Sequence, residues 1–231
     1  MAIGLIASLR AAGVESVLAP LDSGASCSTA VTLENLGARD VAVEMETHRS
    51  SGALIPVPSH PDIGISLKTG ERKTYKLASD AAWVNVRETA RPPVVAVSGK
   101  TECVAGDRLL TAARDVAYAI PNPWISADVA DLGSGGIILL VNTSGKAATA
   151  SACYSAGALY STGGRELTPV CSRTDAAQIP PFGTRLFPVE REGNTHFSIR
   201  TQGESIVLEM LRPLDPRVKI FSVDSTIHFE K

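Results

Sequence analysis

The sequence predicts an all-β protein made of two antiparallel β-sandwich domains in tandem. Three observations predict it. Short apolar or alternating runs recur roughly every eight to twelve residues, with Gly, Pro, Asn, Asp or Ser between them, the spacing of sandwich strands and turns. The 231 residues suit two domains of about 110, each large enough to bury a core. Finally, the chain contains one stretch twice. Val31-Thr32-Leu33-Glu34-Asn35-Leu36-Gly37 is echoed by Leu139-Leu140-Val141-Asn142-Thr143-Ser144-Gly145, and Gly52-Ala53-Leu54 by Gly157-Ala158-Leu159.

Composition narrows the class. Hydrophobic residues at 44% and charged residues at 20% are those of a folded globular protein. A net charge of -2, with no dense Lys/Arg block, removes the attraction that nucleic acid or an anionic membrane surface would need. Neither partner is expected, nor is membrane insertion. The apolar start, Met1-Ala2-Ile3-Gly4-Leu5-Ile6, has no basic residue before it and is too short to span a bilayer. Residues 1–14 are expected to form a leader packed on the first domain, or an arm that adds to a neighbour's sheet edge. No signal peptide is seen in them.

Taken in order, a strand is expected at 14–20, then an Asp-led turn, then strands at 28–34 and 41–46, the second alternating apolar and acidic residues as a sheet with one wet face does. Residues 50–64 hold three prolines and read as a loop. Strands follow at 65–67, 74–77, 83–86 and 94–97, with 116–120 closing the sheet. Pro121-Asn122-Pro123 reads as a stiff join, so the domains are placed at 15–121 and 122–231. In the second domain 137–141 is a continuous apolar run suited to a central strand, and 148–154 alternates. A long loop is expected at 161–177, and final strands lie within 218–229. The copies align at a shift of 107 (142 minus 35) upstream and 113 (183 minus 70) downstream of that loop. Downstream, Val84 matches Phe197, Val86 matches Ile199, Val94 matches Val207 and Val97 matches Met210.

A strand ending in Asn, a turn, a small-residue strand, and later Pro-x-Gly before another strand resembles the immunoglobulin-like modules of bacterial surface proteins and some virion proteins. The resemblance spans nearly the whole chain but lacks the Cys, Trp, Cys arrangement of antibody domains, so it implies architecture alone. Cys27, Cys103, Cys153 and Cys171 fall two to a half. Their spacings match no metal or redox motif, leaving a disulfide in each domain and buried free thiols as alternatives.

Several residues invite a chemical reading. Leu21-Asp22-Ser23-Gly24-Ala25-Ser26 resembles the signature of retroviral-type aspartic proteases, in which Asp22 would be catalytic and two chains would meet. Against it, Pro20 interrupts the preceding strand, and Asp131-Leu132-Gly133-Ser134-Gly135 stands at the equivalent place in the second copy, so an Asp-led glycine turn explains both. Gly133-Ser134-Gly135-Gly136 precedes a strand, not a helix, and reads as a loop rather than a phosphate cradle. His48, His60, His196 and His228 have no metal-ligand spacing. Asp128, Asp131 and Ser134 offer oxygen ligands but fit no defined calcium loop. Asn142-Thr143-Ser144 is a glycosylation sequon whose Asn the turn already explains. Trp83 is expected in the core and Trp124 in a domain junction.

No catalytic, cofactor-binding or metal residue is therefore assigned, and no cofactor. The expected function is a non-enzymatic structural or interaction protein of a cell-surface, filament or virion assembly, with protein partners, either copies of itself or filament or capsid neighbours, outside the cell or on a virion. The alternatives are a carbohydrate-binding β-sandwich module and the aspartic protease at Asp22.

Overall fold

The computed structural model describes residues 15–18, 27–55, 64–88, 90, 92–105, 107–114, 116–132, 135–156, 171–189, 193–215 and 218–223. The leader at 1–14, the Asp22 turn, His60 and His228 lie outside them. Among the described residues the chain is all-β apart from one helical turn. Its strands are β1 (Glu15–Leu18), β2 (Cys27–Asn35), β3 (Val41–His48), β4 (Leu54–Ile55), β5 (Gly64–Leu67), β6 (Arg72–Lys76), β7 (Trp83–Glu88), β8 (Val95–Ala105) and β9 (Arg108–Arg114). There follow β10 (Trp124–Asp128), the turn α1 (Val129–Leu132), β11 (Ile137–Asn142), β12 (Ala148–Ser155), β13 (Arg173–Ile179), β14 (Thr184–Pro188), β15 (His196–Gln202), β16 (Ile206–Asp215) and β17 (Val218–Val223). Two compact units result, Met1–Tyr118 with Asp215–Ile220 and Ala119–Leu214 with Phe221–Lys231.

In the first unit one sheet has the order β1-β7-β3-β4, with β5 also paired to β3, and the other the order β6-β2-β8-β9. All of the described pairings are antiparallel. The inward positions of each strand, among them Val31 and Leu33 of β2, Val43 and Met45 of β3 and Val84 and Val86 of β7, make one buried cluster between the sheets, as period-two alternation requires. The second unit repeats this with sheets β10-β15-β12-β13 and β14-β11-β16-β17. Its core joins Ile138 and Leu140 of β11 and Ile206, Leu208 and Met210 of β16 to Ala150, Ala152, Tyr154, Phe197 and Ile199 of the facing sheet. Tyr154 and Phe197 meet edge to face at 5.2 Å, and the Tyr154 hydroxyl donates to the Pro188 carbonyl at 2.7 Å. A ring buried this way contributes about 1.5–3 kcal/mol, and the hydrogen bond spares its polar end a desolvation cost.

The duplicated Asn is a clamp. Asn35 ends β2, fully buried, and its Nδ2 donates to the carbonyls of Arg39, Leu67 and Lys68 at 2.8, 3.1 and 3.1 Å. Its Oδ1 accepts from Gly37 N at 2.9 Å. Asn142 ends β11 and does the same with Lys146, Ile179 and Pro180 at 2.7, 3.4 and 3.0 Å, its Oδ1 accepting from Ser144 N at 3.1 Å. One side chain thus ties a turn to the end of a strand in the facing sheet, in both copies. Gly37 is required there for space: a Cβ would stand 2.8 Å from Val94 Cγ2.

Three expectations are corrected. Residues 116–120 form no strand, only isolated bridge residues such as Ile120, which pairs with Ile206, and the strand that closes the sheet is β9, paired to the long β8. The expected loop at 161–177 is a strand from Arg173 onward, paired to β12. The downstream alignment also slips. Val84 and Phe197, and Val86 and Ile199, correspond in register, but Val97 lies opposite Leu33 and Leu208 opposite Leu140, so Val97 answers to Leu208, two residues short of Met210. A two-residue slip keeps every side chain on its own face, which is why the pattern did not reveal it. Between equivalent positions the path from β7 to β8 spans 13 residues (97 minus 84) and that from β15 to β16 spans 11 (208 minus 197).

Both disulfides are formed, Cys27–Cys103 between paired residues of β2 and β8 and Cys153–Cys171 from β12 to the residue two before β13. The Pro-Asn-Pro segment is bonded into the second unit: Asn122 N donates to Gly203 O at 3.1 Å, and Gly203 N donates to Asn122 Oδ1 at 2.9 Å. Asn122 holds φ at 47°, a backbone angle that Asn tolerates better than most residues.

Candidate functional site

The richest set of functional groups lies on the outer face of the sheet β10-β15-β12-β13. Ile125, Phe197, Ile199, Ala150 and Ala152 point into the core, so their neighbours along each strand point away from it. Register then sets the outward residues in rows: Asp128, His196 and Ser155; Ser126, Ser198, Cys153 and Thr174; Trp124, Arg200, Ser151 and Ala176; Gln202, Thr149 and Gln178.

In the first two rows His196 is bonded on both ring nitrogens. Nε2 lies 2.9 Å from Ser126 Oγ and Nδ1 3.3 Å from Asp128 Oδ1. With the proton on Nδ1 the ring donates to Asp128 and accepts the Ser126 hydroxyl proton, the order of nucleophile, base and orienting carboxylate in a serine hydrolase. Two features point away from that chemistry. Ser126 sits within a regular strand, not on a sharp turn that thrusts its hydroxyl out. The Asp128 side chain is 51% exposed while that of His196 is 5% exposed, the reverse of a site that buries the carboxylate and presents the base. The cluster is better described as a polar clamp between β10 and β15. It also accounts for Asp128, which sequence reasoning had weighed as a calcium ligand.

The corresponding slot in the first unit holds His48 opposite Trp83, the last pair of β3 and β7, as Ser155 opposite His196 is the last pair of β12 and β15. His48 stacks on Trp83 with centroids 4.4 Å apart and planes 11° from parallel. Its Nδ1 lies 3.3 Å from Gly52 O and its Nε2 3.7 Å from Glu46 Oε2. Trp83 is fully buried, as expected.

The last two rows border a shallow groove of about 480 Å3 whose lining includes Thr149, Ser151, Gln178, Arg200 and Gln202 together with the alanines at 150, 176 and 177. Arg200 is the one charged residue in that lining. Trp124, half-buried, stands beside it as its partner across the strand pair.

Compared with known proteins, the chain matches no family model, no curated protein and no solved structure. The site is therefore read from its own chemistry.

Among the described residues no three His, Cys, Asp or Glu side chains come together to hold a metal ion, and no helix is long and apolar enough to cross a membrane. Gly133 and Ser134, and the side chain of Asp131, lie outside the description. Asn142 uses its amide in the clamp, so its nitrogen is spent in the folded state and the sequon reading falls away there. Local spacing could not have found the Ser126, Asp128 and His196 cluster, since it joins residues 68 and 70 apart. The available signal was alternation, which puts Ser126 and Asp128 on one face of a strand.

Proposed function

We propose that the chain is a non-enzymatic structural or interaction protein built of two tandem immunoglobulin-like domains, working in a surface, filament or virion assembly outside the reducing interior of a cell. One observation carries this reading: among the described residues, buried polar side chains are engaged in holding the scaffold together. Asn35 and Asn142 clamp turns to facing sheets, His196 ties β10 to β15, and buried Glu88 accepts from Val94 N and Val95 N at 2.8 and 3.0 Å to fix the loop after β7. The two disulfides support an oxidising, extracellular-type setting. Duplicated units closed by such devices suit a part that bears load or presents surfaces, since rigid modules lose little entropy on assembly.

The test is size-exclusion chromatography with light scattering, negative-stain imaging and pull-downs from extracellular fractions. Self-association or a specific protein partner is the expected result. A strictly monomeric chain that recovers no partner overturns the assembly reading.

A further inference from the structure

We propose that the outer face of the sheet β10-β15-β12-β13 binds an acidic oligosaccharide, with Arg200 taking a sugar carboxylate and Trp124 lying against a ring. The inference goes beyond the assembly role and does not rest on it: a structural module need bind no glycan, and a glycan-binding module need not assemble.

The groove has the size of a small-ligand site, about 480 Å3, within the range such sites occupy. Its lining combines apolar surface, from alanines and side-chain carbons, with four neutral hydrogen-bonding side chains. Thr149 and Ser151 each offer a hydroxyl, and Gln178 and Gln202 each offer an amide, so every one of these side chains both donates and accepts. Sugar hydroxyls do the same, and they can satisfy all four. The apolar part of the lining suits the C–H faces of a sugar ring, whereas a purely apolar segment would leave the hydroxyls and amides at the groove without partners. Ala176, small and outward-facing, leaves room above the sheet on the β13 side.

Charge selects within that class. Arg200 is the only charged residue lining the groove, and no acid lines it. On the same face Asp128 lies two rows away and is engaged with His196, and the Arg173–Asp175 pair belongs to the alternate, core-directed positions of β13. A guanidinium is a planar fork that matches a carboxylate through two parallel hydrogen bonds. A single cation surrounded by neutral donors fits one carboxylate on a largely hydroxylated ligand, whereas a polyanion such as nucleic acid calls for a row of cations. Trp124 adds a flat apolar surface with one polar edge next to Arg200, the kind of platform against which the C–H face of a sugar ring packs. A uronic-acid oligosaccharide combines those three features.

The experiment is a chemical-shift titration of the full chain with trigalacturonic acid and, separately, with neutral galactotriose and a short peptide bearing a free C-terminal carboxylate. The proposal expects shifts at the Trp124 indole and at β12, β13 and β15, and binding of the acidic trisaccharide about tenfold tighter than of the neutral one, the order of one charge-assisted hydrogen-bonded pair. Arg200→Gln should abolish that preference, and Trp124→Phe or Trp124→Ala should weaken both sugars. Arg200 is exposed, so its variant will fold, and the Phe variant keeps a ring where the Ala variant does not fold. The proposal is overturned if neither sugar binds at millimolar concentration, if both bind equally and Arg200→Gln changes nothing, or if the peptide binds through Arg200 while the trisaccharide does not.

Discussion

The side chain of Asn142 stands to Lys146 as that of Asn35 stands to Arg39: each amide nitrogen donates to the carbonyl four residues on, at 2.7 and 2.8 Å. Each also reaches carbonyls at the end of a strand in the facing sheet. Removing either amide strands several carbonyls at once. Asn35→Ala and Asn142→Ala should each lower stability by about 2–4 kcal/mol. The corresponding Asp variants should do worse, because they set an acceptor against acceptors. Urea denaturation of the single variants checks this, and a loss below about 0.5 kcal/mol would show that the clamp contributes little.

Two glycines make an internally controlled pair. A Cβ at Gly203 would meet Ile206 Cδ1 at 2.6 Å and Ala148 Cβ at 2.8 Å, while one at Gly64 meets nothing within 4 Å. Neither has a positive φ, so space alone separates them. Gly203→Ala should destabilise by about 1–3 kcal/mol through overpacking. Gly64→Ala should be neutral or raise stability by up to about 1 kcal/mol, since it restricts the unfolded chain. Thermal melts read both.

The Cys153–Cys171 bond closes a segment of 18 residues. Loops of about that length gain roughly 3 kcal/mol from closure, mainly through the unfolded state. A Cys153→Ser, Cys171→Ser double variant should lose that much, and dithiothreitol should lower the melting temperature of the native protein but not that of a variant lacking all four cysteines.

Two carboxylates give the acid limb of the stability curve a defined sign. The backbone N–H of Lys68, donating at 2.8 Å, holds Glu71 below its ordinary value of 4.5. The Arg49 guanidinium, at 2.6 Å, holds Asp80 below its ordinary 3.8. Groups depressed in the folded state add stability that is present above their unfolded pKa and is lost as pH falls through the folded one. Stability should thus decline as pH drops below 4.5, and more shallowly in a Glu71→Gln, Asp80→Asn double variant. Both sites are solvent-exposed, so the effect should be small and should shrink with added salt.

The bonds of His196 to Ser126 and Asp128 make one further forecast. Held within a regular strand beside a buried imidazole, Ser126 should not react with a fluorophosphonate probe, and Ser126→Ala should cost about 1 kcal/mol by removing one hydrogen bond. Stoichiometric labelling at Ser126 would restore the nucleophile reading.

Much of the sandwich-like architecture was legible because β2, β3, β7, β11 and β12 announce themselves by strict alternation or a continuous apolar run. The edge strands did not. In β9, Arg108-Leu109-Leu110-Thr111-Ala112-Ala113-Arg114, Leu110 and Ala112 pack inward while Leu109 is 63% exposed, so hydrophobicity marks both faces and only pairing with β8 defines the strand. β13 buries just Ile179 at its end, and its Arg-Thr-Asp-Ala-Ala-Gln run reads as loop. The candidate site escaped for a related reason. Thr149, Gln178, Arg200 and Gln202 are ordinary outward residues on three strands, and nothing along the chain shows that register gathers them.

The burial of Asn142 also sets folding and modification against each other. An oligosaccharyltransferase acts on extended chain, and the nitrogen it would modify in Asn142-Thr143-Ser144 is the one that later donates to Lys146, Ile179 and Pro180. A glycan attached there first would leave the turn unlatched, and a turn latched first would hide the acceptor. In a glycosylating expression host, the order of those two events would decide between a native molecule and one carrying a sugar in place of its clamp.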